Sequence, residues 1–162
     1  MKSDNVELIE RFRAAARKFI GEVDSAPQID TEPFLANVGR SMAELYWVAL
    51  TLPDVQPETD GTDETPFQTE TWGKLRHSLQ EKIGPLDTYW LIFDSTEKQE
   101  PVQGSLAGDI SEIYFDLREG LELEKTGAAE SDVLFDWRVG FRTHWGGHLL
   151  SALTAIHQRH VE

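Results

Sequence analysis

The chain contains no cysteine. That excludes a disulfide scaffold, a thiolate metal site and a cysteine nucleophile. Basic side chains are scarce: 15 Lys and Arg stand against 29 Asp and Glu, for a net charge of −14. Phosphate backbones and anionic bilayers are bound through Lys and Arg, so neither nucleic acid nor a membrane is expected as a partner. An acidic surface of this kind serves solubility, or it meets a basic protein partner. No run approaches about 18 apolar residues, and the first residues lack the apolar core of a signal peptide, so a cytoplasmic location is expected. Nucleophile-elbow, phosphate-loop and dinucleotide patterns are all missing. What remains is ordinary globular composition, 40% hydrophobic over 162 residues, which suits one domain spanning residues 1–162.

Five segments carry apolar residues at helical spacing. The first, residues 4–23, opens with Asp4 and Glu7 in a capping-box pattern and repeats Ile9, Phe12, Ala16, Phe19 and Val23. Its polar face holds Arg11, Arg13, Arg17 and Lys18, read as a solvated surface. The second follows Asp30 or Thr31 as cap, has Pro33 in its first turn, buries Leu35, Val38, Met42 and Leu45, and stops before Pro53. Residues 54–66 are acidic and aperiodic, which reads as a mobile loop. The third helix covers residues 67–83 and ends at Gly84-Pro85. Tyr89-Trp90-Leu91-Ile92-Phe93-Asp94 is one strand-like run with no evident partner, so an extended plug or helical turn is expected there rather than a sheet. After a loop over residues 97–104, a fourth helix runs from Ser105 to about Lys125, with Gly127 as its C-terminal cap. The fifth is capped by Ser131 and continues to residue 160. Short connections between four to five amphipathic helices predict an all-α antiparallel bundle.

Chemistry concentrates in the last helix, at Trp137-Arg138-Val139-Gly140-Phe141-Arg142-Thr143-His144-Trp145-Gly146-Gly147-His148. Trp137, Phe141 and Trp145 share an apolar face, Arg138 and His148 project within it, and His144 borders it. Buried polar groups need partners, and the fourth helix offers Asp109, Glu112 and Asp116 along one edge at i, i+3, i+7. These seven residues (Asp109, Glu112, Asp116, Arg138, His144, Trp145 and His148) form the candidate binding or buried polar cluster. Two histidines at i, i+4 can meet one metal ion, but Trp145 stands where the zinc-protease pattern needs Glu, and the Glu-x-x-His pairs of two-metal bundles are missing. No metal or other cofactor is therefore assigned, and no catalytic residue. Gly146-Gly147 costs a helix about 2 kcal/mol, so either something packs directly on that spot or the helix breaks there.

Four strings together resemble a bacterial family known as domain of unknown function 5063. They are Leu45-Tyr46-Trp47-Val48-Ala49-Leu50-Thr51-Leu52-Pro53, Tyr89 to Asp94, Gly108-Asp109-Ile110-Ser111-Glu112-Ile113-Tyr114-Phe115-Asp116-Leu117, and Trp137 to His148. Gly108 and Glu112 depart from the pattern, where an acid and Asp are usual. The resemblance implies a bacterial, cytosolic, mainly helical domain and supplies no activity.

Two functions stay open. One is a non-enzymatic module that binds another protein. The other is a bundle that binds a metal or small ligand, or an enzyme acting on one, with the His144/His148 and Asp109/Glu112/Asp116 cluster.

Overall fold

A computed structural model describes residues 2–59, 69–92, 94 and 96–159. The described residues form six α-helices: α1 (Lys2–Asp24), α2 (Thr31–Ala49), α3 (Thr69–Ile83), α4 (Leu106–Thr126), α5 (Glu130–Thr143) and α6 (Trp145–Gln158). Between α3 and α4 lie two short strands, β1 (Thr88–Leu91) and β2 (Val102–Ser105). The fold is all-α, as the periodicity predicts, with six helices in place of four to five.

Helix α4 is the hub and packs on α1, α3, α5 and α6. Its Leu106, Ile110, Ile113 and Leu117 are fully buried against Phe12 and Phe19 of α1, Leu79 and Ile83 of α3, and Trp137, Trp145 and Leu149 from α5 and α6. Each buried side chain of this size is worth about 1.5–3 kcal/mol. Both ends of α4 follow the sequence. Ser105 caps the start by accepting from the Gly108 amide at 3.0 Å, and Gly127 closes the end in the left-handed conformation at φ 86°. Asp87 adds a second cap: its carboxylate accepts from the Ala107 amide at 2.7 Å and from the Ser105 hydroxyl.

The expected fifth helix is two helices, broken at His144, whose backbone sits at φ −140°, ψ −89°. Gly146 explains the break. A Cβ there would lie 2.1 Å from the Phe141 carbonyl oxygen, so the chain doubles back tightly only because that side chain is missing. Gly147 faces open space and has no such role. The start of α5 also differs from expectation. Ala129 is its N-cap, while the Ser131 hydroxyl donates to Glu58.

The strand-like run does find a partner. Residues of β1 pair antiparallel with β2, with Tyr89 opposite Gly104. The sequence hid β2 because its Val-Gln-Gly-Ser has little strand propensity. Gly104 is there for the Tyr89 ring, which occupies the space a Cβ would take, 2.5 Å from the ring carbon bearing the hydroxyl. Phe93 lies outside the described residues.

Residues 54–59 are docked rather than mobile, and the expectation for 60–66 lies outside the described residues. The main-chain amides of Glu58 and Thr59 and the Thr59 hydroxyl all donate to buried Asp132. Burial works to raise the Asp132 carboxyl, but those three bonds outweigh it and hold the group below its usual range. The basic face of α1 is likewise only partly solvated. Arg13 is mostly covered and reaches Glu124 on α4 and Glu130 on α5. Helix α1 already includes Asp4, whose side chain, like Phe67, His160 and Glu162, is outside the described set.

Candidate functional site

The antiparallel seam between α4 and α6 brings the acidic row against the two histidines. His148 Nδ1 stands 2.8 Å from Asp109 Oδ1, and His144 Nδ1 stands 2.7 Å from Asp116 Oδ2. A carboxylate can only accept, so in both pairs the imidazole Nδ1 carries the proton. Glu112 lies between them, its Oε2 3.8 Å from His144 Nε2. The two rings meet edge to face, 5.0 Å apart at 80°. The break at His144 produces this spacing, since it lets each ring reach its own carboxylate.

Five of the seven predicted residues therefore converge: Asp109, Glu112, Asp116, His144 and His148. Two do not join them. Arg138 turns away and pairs with Asp54, in the segment after α2, so its expected carboxylate on α4 is a correction. The reason is the docked loop, which brings a nearer acid. Trp145 is fully buried in the core, tilted against Phe141 at 4.9 Å and Phe12 at 6.2 Å.

Tyr89 is the member that the sequence did not supply. Its hydroxyl donates to the second oxygen of Asp109, so Asp109 is held between Tyr89 and His148. Burial, then the bond to Asp109, pushes the Tyr89 hydroxyl well above its usual pKa and keeps it a donor. The Asp109 hydrogen bond raises the His148 pKa against the opposing effect of burial, with further help from the charges of Asp109, Glu112 and Asp116. His148 is thus biased toward the cation. The signal for Tyr89 was its place in the strand-like run; without knowledge of β2, nothing aimed it at α4.

Two clefts flank the histidine pair. Beside His148 a cleft of about 410 Å³ is lined by Arg76, Gln80, Gln103, Asp109 and Glu112. Beside His144 a cleft of about 280 Å³ is lined by Asp116, Glu119, Asp136, Trp137 and Trp145. Among the described residues, no three His, Asp or Glu side chains are grouped so as to hold a metal ion. Neither imidazole is hydrogen-bonded to a Ser or Thr hydroxyl among the described residues. The arrangement can orient an imidazolium and hold charged groups on both sides of it.

The family model for the domain of unknown function (DUF5063) matches residues 3–162. The chain belongs to this family. The DUF5063 chain is also similar in fold to the crystal structure of protein BF1032 from Bacteroides fragilis. The TM-score is 0.81 at 21% identity, covering 94% of this chain and 92% of that one. At that identity the likeness concerns the fold alone. No curated protein matches the DUF5063 chain. Among its described residues, no helix is long and apolar enough to cross a membrane.

Proposed function

We propose that this DUF5063 chain is a binding module whose cleft beside His148 takes a small molecule carrying both an anionic and a cationic group, as an amino acid does. One observation carries the reading. Arg76 has no carboxylate partner among the described residues, in a chain with 29 acids and 15 bases. Its guanidinium lies over Trp72, 5.1 Å from the ring centroid, and its Nε is buried without a hydrogen-bond partner. Gly108 lines the cleft beside it, where an added Cβ would make only an ordinary contact with the guanidinium carbon, at 3.9 Å.

The charges left over in the cleft set the ligand class. Asp87 is consumed by the start of α4, and Asp109 by Tyr89 and His148. Arg76 and His148 remain for an anionic group, and Glu112 for a cationic one. A guanidinium receives a carboxylate through parallel hydrogen bonds, which makes Arg76 the anchor. A simple anion would meet Glu112 and the overall acidic field, and a simple cation would meet Arg76. A molecule with both charges satisfies both walls. The cleft volume falls within the range of small-molecule sites.

Isothermal titration calorimetry tests this with a panel of L-amino acids beside the matching amines and carboxylic acids. At least one amino acid should bind, with its two half-molecules weaker by about tenfold or more, and Arg76→Met should remove the binding. Binding by none of the panel, or equal binding by all three classes, would refute the reading.

A further inference from the structure

We infer that the cleft beside His148 takes up its ligand together with a proton, which His148 Nε2 then holds against the anionic group of the ligand. The inference rests on the small-ligand reading above and adds what regulates that site. It starts from the two nitrogens of one ring. His148 Nδ1 is committed: it donates to Asp109 Oδ1 at 2.8 Å, and the other oxygen of Asp109 is engaged by the Tyr89 hydroxyl. A carboxylate only accepts, so Nδ1 keeps its proton in the neutral ring as well as in the cation. The proton that comes and goes is therefore the one on Nε2.

Nε2 is open to that exchange. It has no hydrogen-bond partner among the described residues, and it is not sealed off as Arg76 Nε is. The His148 side chain is 35% exposed, and it lines the cleft. Charged and titratable neighbours surround it on every packed element. Helix α4 brings Asp109, Glu112 and Asp116, α3 brings Arg76, β1 and the turn before it bring Tyr89 and Asp87, and the kink brings His144. The hydrogen bond to Asp109 and the charges of the α4 carboxylates favour the cation, while burial opposes it. Arg76, and His144 when protonated, oppose it as like charges.

An anion between Arg76 and His148 changes that balance. Its charge offsets Arg76, and its oxygen accepts from Nε2–H. A neutral ring would instead turn a lone pair on that oxygen. The bound ligand favours the cation, and linkage requires that the cation favour the ligand by the same factor. Where the ring of the empty cleft is neutral, binding draws a proton from solvent onto Nε2. Affinity should be highest below the His148 midpoint and fall by about tenfold per pH unit above it, until the midpoint of the bound form is passed.

The test is an NMR pH titration of the histidine rings in the full-length protein, without ligand and with each L-amino acid of the panel. Ring ¹⁵N shifts should show the neutral His148 protonated on Nδ1. A binding amino acid should raise the His148 midpoint by about one unit or more, equivalent to about tenfold tighter binding by the cation. The midpoint of His157, exposed near the end of α6, should stay in place. In calorimetry His148→Gln, which keeps a donor but does not titrate, should lose the part of the pH dependence that belongs to His148. The ammonium of the ligand titrates alike with both proteins, so the difference between them isolates the ring. A neutral ring protonated on Nε2, or a midpoint unmoved by an amino acid that binds, would overturn this inference and leave the small-ligand reading standing. No saturable response to any amino acid would overturn both. The ring titration needs only the wild type, so it stands even where the variant fails to fold.

Discussion

The two ends of the α4–α6 seam carry the same chemical pair, a histidine Nδ1 against an aspartate oxygen, at nearly the same distance, 2.8 Å and 2.7 Å. Their surroundings separate them. At the His148 end the aspartate side chain is 10% exposed and is also held by Tyr89. At the His144 end the aspartate is 29% and the histidine 45% exposed, and Asp116 has no tyrosine behind it. Distance alone thus says little about what such a pair contributes. Water screens the outer pair, while at the inner end Asp109 is largely shielded from water and depends on its partners, although His148 keeps a partly exposed edge.

The largest effect should come from the kink that divides the two ends. Gly146→Ala places a methyl group against the Phe141 carbonyl and should destabilise by about 3 kcal/mol. Gly147→Ala, one residue on and facing solvent, should be neutral or stabilising by up to about 0.5 kcal/mol. Urea midpoints of the two variants measure the contrast, and equal destabilisation would show that the kink does not depend on Gly146.

Removing the carboxylates compares the ends directly. Asp109→Ala leaves both Tyr89 and His148 without their acceptor and should cost about 2–3 kcal/mol. Asp116→Ala at the exposed end should cost about 1 kcal/mol or less. Equal losses in chemical denaturation would break the distinction drawn from burial.

The smallest effect is a dependence on pH. The His148 pKa is raised in the folded state, so its contribution is fully present below the unfolded value of about 6.5. It is lost as pH rises through the higher folded value, because the folded state then gives up a proton that the unfolded state has already released. The stability advantage of wild type over His148→Gln should therefore shrink as pH rises from below 6.5 into the alkaline range. An NMR titration of the His148 ring should place its midpoint above that of the unfolded chain; a midpoint at or below it would contradict the bond to Asp109.

Much of this could be read from the chain alone. Helical periodicity placed α4 between Ser105 and Gly127 because capping is local chemistry, and the residues that do it lie within one turn. The i, i+3, i+7 acids and the i, i+4 histidines predicted that two helix edges would meet, and Asp109, Asp116, His144 and His148 do. The glycine pair marked a break or a close approach, and Gly146 turned out to serve both.

Partner choice across long separations was decided only in three dimensions. Nothing in Val102-Gln103-Gly104-Ser105 announces a strand until Tyr89 lies across Gly104, and only that pairing delivers the Tyr89 hydroxyl to Asp109. Arg138 reads as part of the buried cluster by spacing, yet Asp54, 84 positions earlier, lies closer once the loop is docked. Arg76 carries no sequence signal at all. Its place in the proposed site comes from having no carboxylate partner among the described residues, and periodicity describes which face a residue takes, not which charges the packed helices leave unanswered.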